Sequence, residues 1–271
     1  MSTLSGFIVV VIVYSAVVAL VYFRQEQLMF YPRASIPAIE LRYRDHAISF
    51  ETEDAELHGW FFPSSRRERP TLVYYGGNGE ELSGSIADIR ALGDYHHVIV
   101  NYRGYGRSSG SPGEKALQSD ALFILDSLES QGKISLENTF ILGRSLGSAI
   151  AAHVAANRTT RGLILVSPFD SIEAIASDLY FFLPVRWLIK HPFRTVDYVD
   201  RIAVPTLIIK AQTDEVVPLR YTDALIRAWK HELEVVQLEG TSHNYIQTEE
   251  YVKTINRFIQ RSAIQKSSDN L

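Results

Sequence analysis

Residues 6–23 form an uninterrupted run without charge, dominated by Val, Ile, Ala and Leu. At about 1.5 Å per residue a helix of this run reaches about 27 Å, enough to cross a hydrocarbon core. The pattern predicts a retained single-span membrane anchor over 1–24. A cleaved signal peptide is the competing reading. It is disfavoured because no basic residue precedes the run, the run is long for such a peptide, and no A-x-A site follows. Residues 25–44 then read as an irregular juxtamembrane linker, in which Pro32 and Pro37 break any long helix.

Farther along, the texture changes to short apolar runs. Residues 46–50 and 56–62 are expected as paired strands joined by the acidic turn 51–54. Strands are predicted at 71–75, 98–101, 140–143, 163–166, 206–210 and 234–238, and helices at 82–92, 115–130, 145–156, 219–230 and 249–261. Alternation of this kind specifies an α/β domain, over 45–262, with a mostly parallel central sheet covered by helices on both faces. A polar tail, 263–271, follows. One interval breaks the rhythm: 171–200 is too long for a simple connection and too apolar for a solvated loop. It reads as a small inserted helical cap, with ordinary core helix as the alternative.

Composition narrows the chemistry. The chain is 46% apolar and 21% charged, ordinary for a globular domain, and its net charge of −4 gives no reason to expect a nucleic-acid partner. With no Cys at all, disulfides, zinc–thiolate sites and cysteine catalysis are excluded. The basic loop Arg66, Arg67, Arg69 is most simply solvated surface.

The most informative stretch is the G-x-S-x-G pattern Gly143-Arg144-Ser145-Leu146-Gly147, led by an apolar strand and followed directly by an Ala-rich helix. A nucleophilic serine on a sharp strand-to-helix turn requires this context, because only small flanking residues leave room for the turn. A second match, Gly106-Arg107-Ser108-Ser109-Gly110, is followed by Gly110, Pro112 and Gly113, which do not start a helix. Ser145 is therefore the candidate nucleophile, with a capping serine as its plainer reading. Asp214 and His243 each stand just after a predicted strand, in the order Ser, acid, His, at the sheet edge where catalytic groups collect. Asp170 is a possible substitute acid, and Asp214 could instead be a turn acid or helix cap. An oxyanion hole needs two backbone N–H groups. The amide of Leu146 is one candidate, and the loop Gly76-Gly77-Asn78-Gly79 after the 71–75 strand is the source of the other.

The chain resembles the α/β-hydrolase superfamily, and within it the membrane-anchored abhydrolase-domain group also described as serine-aminopeptidase-like. The resemblance is carried by Phe30-Tyr31-Pro32, Tyr75-Gly76-Gly77-Asn78-Gly79, Asn101-Tyr102-Arg103-Gly104-Tyr105-Gly106, Gly143-Arg144-Ser145-Leu146-Gly147-Ser148, Asp214-Glu215-Val216-Val217-Pro218 and Ser242-His243-Asn244. It implies the α/β-hydrolase fold, the triad Ser145, Asp214 and His243, and oxyanion donors at Asn78 and Leu146. Where the family usually has His-Gly-Asn, this chain has Gly76-Gly77-Asn78. No metal or organic cofactor is required for such chemistry.

An anchored domain with an aromatic cap points to an ester or thioester of a lipid-derived acyl group, or to an S-acylated protein, as substrate. Gly77 in the glycine loop and Tyr180, Phe181, Phe182 and Trp187 in the cap are the candidate substrate-binding residues. Basic residues only on the far side of the run, at Arg24, Arg33, Arg42 and Arg44, put the domain on the cytoplasmic face. The rival from another class is a catalytically silent, membrane-tethered scaffold of the same fold.

Overall fold

A computed structural model describes residues 3–268. The first element, helix α1 (Thr3–Met29), runs past the expected end of the anchor, because no breaker stands between Phe23 and Pro32. None of its residues is buried, and it is long and apolar enough to cross a membrane. Residues 30–36 have no regular secondary structure, Phe30 is buried, and a short helix α2 (Pro37–Arg42) starts on Pro37. Proline opens this helix rather than preventing it, since the first helical residue needs no N–H.

Eight strands form one sheet in the order β1-β2-β4-β3-β5-β6-β7-β8. They are β1 (Ala47–Glu51), β2 (Glu56–Phe62), β3 (Thr71–Tyr75), β4 (His96–Val100), β5 (Thr139–Arg144), β6 (Gly162–Val166), β7 (Thr206–Thr213) and β8 (Leu233–Ser242). Only the β1–β2 and β2–β4 pairs are antiparallel. Helices α3 (Ile86–Arg90), α4 (Glu114–Ser130) and α5 (Leu146–Asn157) follow β3, β4 and β5, while α8 (Leu219–Ala228) and α9 (Glu249–Ser268) follow β7 and β8. Between β6 and β7 lie α6 (Ile172–Leu179) and α7 (Val185–Leu188), the helices of the 171–200 interval.

The central strands carry continuous apolar stretches, such as 72–75, 98–100, 140–142 and 207–209, because both faces are covered. In β3, Leu72 and Tyr74 join the layer packed with α3 and α9, whereas Val73 and Tyr75 join the layer packed with α4 and α5. Several expected edges move, two helix ends among them. The helix foreseen over 82–92 is confined to α3, since the Asn101 side chain accepts the Leu82 amide and Gly84 interrupts the first turn. The polar tail continues α9 as far as Ser268, there being no Gly or Pro to stop it; residues 269–271, and Met1 and Ser2 of the anchor, lie outside the described residues.

Candidate active site

Steric constraint explains the local sequence at the elbow. Ser145 sits between β5 and α5 with φ 52° and ψ −118°, a left-handed conformation that a side chain rarely adopts. Its amide continues the sheet ladder by donating to the Val166 carbonyl at 2.9 Å. A Cβ on Gly143 would lie 2.3 Å from the Gly147 carbonyl oxygen, and one on Gly147 would lie 2.1 Å from that of Tyr75. Neither position accepts a side chain, so both motif glycines are demanded by backbone approach. The strained serine is held partly exposed at the C-terminal edge of the sheet, where the N-terminal end of α5 favours negative charge.

Asp214 and His243 meet because β7 and β8 run farther than their apolar stretches. Pairing continues through an irregularity after Ala211 to Thr213 opposite Ser242, and the next residue on each strand is Asp214 or His243. Both carboxylate oxygens of Asp214 lie 2.8–2.9 Å from His243 Nδ1, with the two side chains 1% and 5% exposed. Burial pushes the Asp214 carboxyl up, but hydrogen bonds from His243 and from the Val217 amide at 2.6 Å outweigh it and hold the pKa below its ordinary value. An ionised Asp214 fixes the ring with Nδ1 facing the acid, leaving Nε2 as the basic nitrogen.

Ser145 is tied to this pair through its neighbour. Arg144 Nη2 donates to the His243 carbonyl at 2.9 Å, and Nη1 pairs with Glu80 Oε2 at 3.2 Å. Glu80 in turn accepts the Gly77 amide at 2.7 Å and the hydroxyls of Tyr74 and Ser85. Gly77 packs beside the elbow, where a Cβ would be 3.6 Å from that of Ser145, but its N–H is committed to Glu80. The Asn78 side chain is clamped from three sides: Nδ2 donates to the Met29 carbonyl at the end of α1, and Oδ1 accepts from the Tyr105 hydroxyl and the Tyr31 amide. Leu146 provides the first N–H of α5, which has no carbonyl one turn earlier to receive it. Glu80, Arg144 and Tyr105 escape sequence reasoning. Their only sequence signal is position, beside the glycine loop, inside the elbow motif and in the loop after β4.

Other candidates are engaged elsewhere. Ser108 is buried, its hydroxyl accepting the His58 amide at 2.8 Å and donating to the Asn101 carbonyl at 3.1 Å. Asp170 Oδ1 accepts the Ser171 amide at 2.8 Å at the start of α6. In the cap, Tyr180 lines an apolar cavity of about 230 Å³ between α1 and α6–α7, but Phe181, Phe182 and Trp187 do not. They point outward, Trp187 with 88% exposure, because Leu183 and Val185 take the inward positions of this turn. Ser145, Asp214 and His243 are not among the cavity's walls either; Met29, whose carbonyl holds Asn78, is the link between the two.

Comparison with known proteins agrees with this architecture. A family model described as serine aminopeptidase, S33, matches residues 77–195. An uncharacterized protein of Mycobacterium tuberculosis is 28% identical over 266 residues, covering 94% of each chain. The lysophosphatidylserine lipase ABHD12 of Danio rerio is 32% identical over 193 residues, covering 63% of this chain and 49% of that protein. Among solved structures, the α/β hydrolase of Vibrio vulnificus superposes with a TM-score of 0.69 at 21% identity, over 83% of this chain and 88% of that one. That likeness is one of fold.

Proposed function

Because the chain belongs to the α/β-hydrolase superfamily, in its abhydrolase-domain group, and is by that kinship a hydrolase, we propose that it cleaves carboxylic esters or thioesters through Ser145, His243 and Asp214. The observation that carries the reading is the buried Asp214 carboxylate on His243 Nδ1, joined to the strained Ser145 elbow by Arg144. In this mechanism His243 Nε2 takes the Ser145 proton as Oγ attacks the acyl carbonyl, and Asp214 stabilises the imidazolium. The oxyanion forms against the amides of Leu146 and Asn78, the loop amide that follows the one committed to Glu80. His243 then protonates the leaving alcohol or thiol. Water, deprotonated by the same nitrogen, attacks the acyl-enzyme, releases the acid and restores Ser145.

The proposed substrate is a lipid-derived acyl ester or an S-acylated protein. Support comes from the apolar cavity beside α1, from the length and hydropathy of α1, and from kinship with a protein named as a lysophosphatidylserine lipase. We place the domain at a membrane, with α1 as its anchor, and on the cytoplasmic side, since Arg24, Arg33, Arg42 and Arg44 all follow the apolar run.

Replacing Ser145 tests the reaction. In Ser145→Ala, turnover of p-nitrophenyl esters falls by about 10⁴-fold or more and labelling by a fluorophosphonate probe disappears. Labelling that persists in Ser145→Ala and vanishes in Ser108→Ala sinks the assignment. An unreactive wild-type protein favours the silent scaffold instead.

A further inference from the structure

The cavity between α1 and the cap has a single chemical character. Its walls include Val21, Leu28 and Met29 from α1 and Ile175, Ala176 and Leu183 from the cap. The amide-bearing side chain in the wall, Gln25, already donates to the Leu188 carbonyl and accepts the Lys190 amide. At about 230 Å³, the space exceeds the roughly 150 Å³ of an apolar cavity known to stay dry and take up benzene. The cavity therefore suits a hydrocarbon, the Tyr180 hydroxyl being the other polar group among its lining side chains.

Its position says where that hydrocarbon comes from. At the inner end, Met29 both lines the cavity and holds the Asn78 side chain of the proposed oxyanion loop. Beyond the walls, farther up α1, the Tyr14 hydroxyl donates to the Phe182 carbonyl at 2.9 Å. Tyr14 lies near the middle of the apolar run, about 13 Å along the helix from Phe23. If the run crosses a bilayer, this contact carries the tip of the cap well into one leaflet. The tip is dressed for that place: Leu179 is 66%, Phe181 83% and Trp187 88% exposed, a patch that aqueous surfaces avoid. Its backbone is internally bonded, Leu183 to Tyr180, Val185 to Leu183 and Trp187 to Pro184, and Tyr14 caps the Phe182 carbonyl, as non-helical chain at membrane depth requires.

We propose that this cavity is an acyl-chain site filled sideways from the leaflet in which the cap tip is immersed, and that the membrane helix is one of its walls. The anchor is thereby part of the substrate site rather than only a tether. This rests on the reading of the chain as a membrane-anchored acyl hydrolase, and it adds the route and the seat of the acyl chain.

The test uses the full chain in phosphatidylcholine nanodiscs. Ala176→Trp fills the cavity from the cap side and Leu28→Trp from the helix side, with Ser145-dependent fluorophosphonate labelling as the check that each variant is folded. The ratio of kcat/KM for p-nitrophenyl laurate to that for the acetate falls at least tenfold in both. An unchanged ratio in either folded variant overturns the proposal. Independently of turnover, a palmitate analogue with a diazirine near its tail, irradiated with the wild-type protein, yields adducts on α1 and α6 that Ala176→Trp suppresses. Adducts absent from both helices overturn it as well. If wild type hydrolyses no ester and Ser145 goes unlabelled, the hydrolase reading fails, while the cross-linking pattern still decides the cavity.

Discussion

Gly147 carries more of the elbow than its missing side chain suggests. Its Cα faces the carbonyls of Tyr75 and Gly76, so the first turn of α5 lies directly against the end of β3, where the glycine loop begins. A methyl there would stand 2.1 Å and 2.5 Å from two backbone oxygens that no rotamer change moves away. Gly147→Ala is therefore expected to displace the elbow from the loop, costing about 3 kcal/mol or more of stability, as overpacking at an unyielding site does. Thermal unfolding with residual esterase activity in the surviving fold measures both effects. A variant as stable and as active as wild type would contradict this account of the motif. By contrast, the Ser108 pattern uses two glycines for positive φ, 56° at Gly106 and 79° at Gly110, to turn a loop that stitches Ser108 to β2. The same five-residue expression thus has two physical causes, and only the residues after it, helix-forming in one case and helix-breaking in the other, separate them.

At the scale of elements, the sheet was legible because strands covered on both faces are mostly apolar, and 56–62 and 71–75 match β2 and β3 at both ends. The ends of β7 and β8 were not. Thr213, Gly240, Thr241 and Ser242 are polar or flexible, and their pairing depends on contacts such as Gln212 Oε1 accepting the Gly240 amide at 2.7 Å, which only the folded register creates. The candidate site residues were named from motif and order, and the fold brings Asp214 and His243 into contact. The bonds that bring their loops together were not, because a side chain that ties three loops has no local pattern. Glu80 is that tie, contacting Gly77, Tyr74, Ser85 and Arg144. The outward turn of Phe181, Phe182 and Trp187 was equally hidden, since hydrophobicity marks a residue as avoiding water without saying whether protein or lipid covers it. Glu80→Ala leaves the largely buried Arg144 guanidinium without its carboxylate and frees the Gly77 amide. Losing one partner of such a pair is expected to destabilise by about 3 kcal/mol. Ester kcat should fall with it, while Glu80→Gln, which keeps an acceptor for Gly77, recovers part of both. Equal behaviour of wild type and Glu80→Ala in urea unfolding and in ester kcat would show that the tie is dispensable.

For the whole molecule, acid sensitivity follows from where the histidines are buried. Burial lowers the pKa of His58, His97, His153 and His191, and His97 falls to about 4. His97 is 2% exposed with Nε2 bonded to the Gly93 carbonyl at 3.0 Å and Nδ1 without a partner, so the folded chain holds it as a neutral ring. The unfolded chain takes up that proton near pH 6.5, whereas the fold resists until about pH 4. A depressed histidine therefore contributes stability that is fully present above 6.5 and is lost as pH falls towards 4. For His97 alone the loss is roughly 3 kcal/mol, and the other three add in the same direction. Asp214, whose carboxyl is held low, adds a further loss only below the ordinary carboxyl range. Urea unfolding of the detergent-solubilised full chain at pH 7.5, 6, 5 and 4.5 should show stability high at pH 7.5 and declining as pH falls below about 6.5, before most carboxylates titrate. His97→Gln, which retains a donor towards Gly93 but cannot take up a proton, should flatten that decline. A wild-type profile that stays level down to pH 4.5 would mean that these rings are protonated as readily in the fold as in the unfolded chain, and that burial does not govern their charge.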